Sequence, residues 1–425
     1  MSSIETKPAT AADKALIQTR TIRVLMVSVI PAGMATAGAF PTTSLLAKEL
    51  TGSDTLSGFA SAFLAVGGAI AAVPLARLMA RKGRRAGLRT GWTIAAFGAS
   101  LSFLAATLEF FPLLILGSIG IGSGNAANLS TRYAAADLAD DSNRGRSISF
   151  VVWASTVGSV MGPTIASGPS GWLAESVGLP KLAGPYALAA IAFTIAAMLS
   201  ERFLRPDPLE VSGGLSSHAK ADRVSVAESF RKLWSVPLAR LAVLAMAVGH
   251  AVMVGVMTMT PLHMQDGNHE FKIIGFVISL HIIGMYAFSP LVGVFVDKFG
   301  PRPVIAVAGV VLFTGAELAS HTDPQDSLGV FVGLFLIGLG WSFNLISGSS
   351  ILTGTFTPEE RATTQGASDL IMVGSGASAG LIAGAVVEWS SFHSLAHWAG
   401  VGALSLPLIA GLAIIGQRRS KPTPA

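Results

Sequence analysis

This chain of 425 residues has no cysteine, which excludes disulfide bridges, thiolate zinc sites and thiol redox chemistry. Charged residues are scarce, at 12% against roughly 25% in ordinary soluble domains, so most of the chain cannot face water. The marks of a nucleotide-driven pump or a zinc hydrolase are also missing: no Gly-Lys-Ser or Gly-Lys-Thr closes a phosphate loop, and no H-E-x-x-H occurs. A non-enzyme without a cofactor is expected. Apolar length is what the chain has in excess. Mean hydropathy is +0.61 and hydrophobic residues make up 51%, the composition of an integral membrane protein with the lipid bilayer as its first partner. A pI near 9.6 suggests nucleic acid. The basic residues, however, fall in short turns between apolar runs, where they act as orientation signals and not as a nucleic-acid surface.

About twelve apolar spans follow one another, near 22–46, 55–80, 89–108, 111–136, 146–168, 182–203, 240–263, 272–296, 303–320, 328–354, 362–387 and 396–416. Each suits a hydrocarbon core that takes about 20 helical residues. Arginine marks one side of the bilayer. Arg20 and Arg23, Arg81, Arg84, Arg85 and Arg89, Arg144 and Arg146, Arg202 and Arg205, Arg302, Arg361, and Arg418 and Arg419 all lie an even number of crossings from the N-terminus, whereas the opposite loops carry Lys48, Lys181 and Lys272. Both termini are therefore expected in the cytoplasm. The first 20 residues are polar and lack the pattern of a cleaved signal, so an N-terminus that stays in place is expected, in the plasma (inner) membrane of a prokaryotic-type cell.

The longest polar stretch, 204–237, contains Pro206, Pro208, Gly213 and Gly214 and reads as a linker between an N-terminal half, 1–203, and a C-terminal half, 238–425. The halves match at one offset: Arg23 with Arg240, Gly83 with Gly300 and Arg144 with Arg361 are each 217 residues apart. Three coincidences at equivalent places argue for a duplicated six-helix unit. Six helices plus six is the layout of a secondary carrier whose site lies between its repeats.

The run Gly293-Val-Phe-Val-Asp297-Lys298-Phe-Gly300-Pro-Arg302 resembles the G-x-x-x-D-[RK]-x-G-[RK]-[RK] loop signature of the major facilitator superfamily. Its partner in the first half is Arg81-Lys82-Gly83-Arg84-Arg85, where Ala80 stands in the place of the carboxylate. The resemblance implies an all-α integral membrane fold of twelve transmembrane helices in two six-helix pseudo-repeats. It also implies that Arg81, Gly83 and Arg84, with Gly293, Asp297, Gly300 and Arg302, form the gating loops. Gly158-x-x-x-Gly162-Pro163 is similar to the fifth-helix motif of many antiporters of the superfamily, although Ala166 and Ser167 replace its later glycines; close helix packing is the plainer reading.

Two pairs of soft donors stand at helical i, i+4 spacing, Met253 with Met257 and His281 with Met285, so each pair can present two ligands from one helix face. Thioether and imidazole suit copper. With the flanking runs 260–264 and 279–285, these residues resemble the CcoA-like copper importers, which use M-x-x-x-M and H-x-x-x-M motifs in their seventh and eighth helices; a sister group is linked to riboflavin. At 1.5 Å per residue, Met253 and Met285 fall within roughly 2 Å of the midplane, and Met257 and His281 roughly 5 to 8 Å outward. His250 and Met246 continue the stripe as exit ligands. Copper import by alternating access is the expectation, with a copper chaperone as a candidate partner and a monomer as the expected state.

An organic solute stacked on Trp153, Trp341, Phe343 and Phe40 is the alternative within carriers, and a binding-only sensor is the alternative outside them. Asp369 is a candidate for proton coupling, or else for a salt bridge to Arg132 or Arg361. Asn125, Asn128 and Asn344 would line the cavity or join helices. His263, His269, His393 and His397 are expected as solvated loop residues, and Glu317 has no assigned role.

Overall fold

Glycine and proline decide where this apolar chain turns, and the helices between them build the whole molecule. The computed structural model describes residues 11–215, 225–323 and 328–419, and no strand occurs among them. The first half comprises α1 (Ala11–Thr51), α2 (Asp54–Leu108), α3 (Phe111–Ala134), α4 (Arg144–Ser167), α5 (Pro169–Ser176) and α6 (Ala183–Phe203). Two short helices, α7 (Pro208–Val211) and α8 (Val226–Ser235), lie in the connection. The second half comprises α9 (Pro237–Asp266), α10 (Phe271–Tyr286), α11 (Ser289–Phe299), α12 (Pro301–Ser320), α13 (Leu328–Thr355), α14 (Pro358–Trp389), α15 (Phe392–Ala403) and α16 (Ser405–Arg419).

Ten helical runs among the described residues are long and apolar enough to cross a bilayer. Leu56–Leu108 holds two of the expected crossings, because Gly83 (φ +86°) breaks α2 without ending it. With α3, whose 24 residues span about 36 Å, the twelve expected crossings are accounted for. Three boundaries differ from those expected from sequence. The eighth crossing is broken between α10 and α11, where Ser289 and Pro290 restart the helix; the twelfth is broken at Leu404; and α1 begins about ten residues before its expected span, at Ala11.

Each half has its own apolar core. The cores interlock at one end: Tyr133, Ala136, Ile148 and Val152 of the first half pack into the second-half core, and Ala362 of the second packs into the first. Inside the first half, Gly158 and Gly162 of α4 meet the backbone of α1, where a β-carbon on Gly158 would lie 2.8 Å from the Met34 amide and one on Gly162 would lie 3.0 Å from the Gly38 amide. The fifth-helix motif is thus an α1–α4 packing seam.

Candidate functional site

Polar bonds that join the halves gather at the arginine-rich end. Arg132, near the end of α3, is buried with its partner, Asp369 of α14. The Arg132 Nε donates to Ser349 Oγ of α13 (2.8 Å) and an Nη donates to Tyr133 Oη (3.0 Å), which in turn donates to Asp369 Oδ1 (3.2 Å). Arg132 and Ser349 are 217 positions apart, so residues at equivalent places in the two repeats touch beside the pseudo-twofold axis. Of the two partners expected for Asp369, the structure selects Arg132. Arg361 instead donates to the Asp137 carbonyl (3.1 Å).

A second layer lies nearer the surface. Arg84 grips Asp137 with Nε (2.8 Å) and Nη2 (3.1 Å), and the same Nη2 donates to Gln365 Oε1 of α14 (2.6 Å). The first half, lacking a carboxylate at position 80, still anchors its loop arginine through Asp137. In the second half, Asp297 reaches across to α4 and accepts from the Gly145 amide (2.7 Å), the Arg146 amide (3.1 Å) and Arg146 Nε (3.1 Å). A carboxylate at a helix N-terminus satisfies free amides and meets the positive end of the dipole. Gly293 lets α11 come this close, since a β-carbon there would lie 2.8 Å from the Gly145 carbonyl.

Sequence reasoning missed Asp207. Its buried carboxylate accepts from the amides of Arg84 (3.1 Å), Arg85 (2.8 Å) and Leu209 (3.0 Å). Arg81 and Arg302 stand in the same two turns, beside Gly83 and Gly300.

The soft-donor residues lie in the second half. His281 is fully buried against α13, where its Nδ1–H donates to the Leu334 carbonyl (2.7 Å). Only a protonated nitrogen can pair with a carbonyl, so the Nε2 lone pair is left free, and that atom has no hydrogen-bond partner. Met285 packs on Gly338 of the same helix. Met253 is buried in the second-half core and Met257 packs partly buried against it. Met246 packs against Gly348 and Ser349. Among the described residues, no group of three or more His, Asp or Glu is gathered as a metal site.

His250 belongs to a different group from that expected. Its Nδ1 accepts from Trp341 Nε1 of α13 (2.9 Å), and the Tyr286 ring meets the same indole edge-on at 5.7 Å between centroids. Asn344 lies one turn along α13 against Gly249, fully buried, with neither amide atom hydrogen-bonded. Phe343 is stacked on Phe295, and Trp153 and Phe40 are exposed. Asn128 accepts from Trp92 Nε1 (2.9 Å) and so joins helices.

At the opposite end, His263 departs from expectation: it is 6% exposed and stacked on Phe392 at 4.1 Å. Glu317 accepts from His397 Nδ1 (2.8 Å), which ties α12 to α15.

Two repeats closed against one another at one end by arginine–carboxylate pairs are a carrier architecture. The sequence pattern of the Major Facilitator Superfamily matches residues 25–271 and 267–425, and the chain belongs to that family of membrane transporters. It is 36% identical over 393 residues to the uncharacterized MFS-type transporter YddS of Bacillus subtilis (strain 168), covering 92% of this chain and 89% of the relative. It is 26% identical over 386 residues to the riboflavin transporter RfnT of Brucella anthropi, covering 89% and 90%. Its fold is similar to that of the human organic anion transporter MFSD10, with a TM-score of 0.74 at 15% identity, covering 92% of this chain and 99% of the other.

Proposed function

We propose that this transporter takes up a flat organic solute of the riboflavin class by alternating access. The observation that carries the reading is the group formed by His250, Trp341 and Tyr286 beside the unpaired amide of Asn344. An aromatic wall next to free hydrogen-bonding atoms is what a planar, heteroatom-rich ring needs for stacking and orientation. The relative named as a riboflavin transporter, aligned over nine-tenths of both chains, supports it.

In this reading the arginine-rich end is cytoplasmic and shut, and the binding group is reached from outside. Arg132–Asp369, Arg84–Gln365 and Asp297–Arg146 hold the halves together on that side. Inward opening must part all three, and Asp369 is then the carboxylate available to exchange a coupling proton. The gating residues named from the family signature act through Arg84, Gly293 and Asp297, while Gly83 and Gly300 form the turns.

Copper remains the second reading because of one feature. An imidazole that donates Nδ1–H to a backbone carbonyl and leaves Nε2 free is oriented as metal-ligating histidines usually are, and Met285 follows it by one turn.

Uptake into proteoliposomes tests both. Labelled riboflavin should accumulate, and Trp341→Ala with Tyr286→Ala should reduce that uptake at least tenfold, while His281→Ala with Met285→Ala leaves it intact. Accumulation of copper(I), lost in the His281 and Met285 double variant, would establish the metal reading. If neither cargo accumulates, both substrate assignments fall.

A further inference from the structure

A groove of about 660 Å³ runs down the outside of the first half between the second limb of α2 and α6. It takes no part in the gate. Its upper wall is made of Thr93, Ile195 and Met198, the last two exposed to the membrane. Its mouth at the arginine-rich end is lined by Arg89, Arg202 and Arg205. Glu201 is the acidic group there, and it is shared among Arg85, Arg89 and Arg205. The groove lining therefore carries three guanidinium groups against one carboxylate, an excess of two positive charges. Arg89 and Arg205 remain about half exposed despite their shared partner. Ile195 and Arg202 are separated by about 10 Å along α6, the distance over which a bilayer passes from headgroup to upper acyl chain.

We infer that this groove binds an anionic phospholipid, with its phosphate among Arg89, Arg202 and Arg205 and an acyl chain along Ile195 and Met198. Charge complementarity selects the occupant. A zwitterionic headgroup would bring its own cation into a site already two charges positive, whereas an anionic one adds only the sign the site lacks. Arginine also offers the forked donors that suit phosphate oxygens. In the second repeat, 217 positions on from Arg89, Thr93 and Ala96 stand Ala306, Val310 and Phe313, while Arg85 and Arg202 correspond to Arg302 and Arg419.

Native mass spectrometry of the full-length protein in detergent, titrated separately with cardiolipin, phosphatidylglycerol and phosphatidylethanolamine, tests the inference. The anionic lipids should be retained and phosphatidylethanolamine should not. Removing one guanidinium should weaken retention roughly fivefold, and Arg89→Gln, Arg202→Gln and Arg205→Gln together should weaken it by far more than tenfold. Met198→Trp keeps every charge, fills the groove from the lipid side and should displace the same lipid, which serves if the triple variant fails to fold. Equal retention of the zwitterionic lipid, unchanged retention in Met198→Trp, or displacement by millimolar inorganic phosphate would each overturn the assignment.

Discussion

The two copies of one turn differ in where their carboxylate comes from. Gly83 and Gly300 occupy equivalent positions with nearly the same left-handed backbone, φ +86° and +83°. Around Gly300 there is open space, and the nearby Asp297 leaves its own half to cap α4 of the other. Around Gly83 there is Asp207, a residue of the connecting segment, which stays within the first half and caps the helix that resumes after the turn. One acid therefore joins the halves and the other consolidates a half. A duplicated loop thus has two different duties, the carboxylate absent at position 80 being supplied by Asp207, 127 residues further along the chain.

Removing the buried ion pair that joins the two halves gives the largest expected effect. Arg132→Ala strands Asp369 in a buried site, a loss on the order of 3–5 kcal/mol. Its melting temperature in detergent should fall further than that of any variant below, and Arg132→Ala with Asp369→Ala together should recover part of the loss. No recovery would mean that the pair is not coupled.

The next comparison sets Asp207→Ala against Asp297→Ala. The first removes a helix N-terminal cap, at about 0.5–2 kcal/mol in all, and should lower the melting temperature while leaving the balance between open and closed states nearly unchanged. The second should do the reverse. Because the natural chain has no cysteine, Ser149→Cys gives a clean reporter at the α4–α11 contact, and its maleimide labelling should quicken about tenfold in Asp297→Ala, which corresponds to about 1.4 kcal/mol. Equal labelling in the two variants would erase the proposed division of duties.

The smallest effect is a difference within the turns. Gly83→Ala and Gly300→Ala both impose a left-handed strain of about 1–2 kcal/mol, but a β-carbon at Gly83 also meets the Asp207 carboxylate. Gly83→Ala should therefore melt lower than Gly300→Ala. Asp207→Gly in the same background should narrow that gap.

Much of this architecture was legible in the chain because apolar runs and arginine placement record the bilayer itself. The offset of 217 located both glycine turns, and it also relates Arg132 to Ser349, which the structure shows in contact. Asp369 was singled out because a carboxylate within an apolar run is costly enough to need a partner. Asp207 was missed for an equally physical reason: its partners are backbone amides, which carry no residue identity, and it lies in a segment without periodicity. His263 was misplaced because its ring stacks on Phe392, far along the sequence, and is thereby withdrawn from solvent. His250 was grouped by spacing with the methionines, but helical spacing fixes only a face, and the indole on α13 determines what that face meets.

The seam between α1 and α4 limits how this carrier can bend. Where glycines bring two main chains into contact, there are no side-chain rotamers to slide or swap, so the first and fifth crossings must travel as a single beam. Bending elsewhere falls to the joints on either side of that beam, Gly83 and the α4–α5 break in the first repeat and the breaks after Tyr286 and at Leu404 in the second.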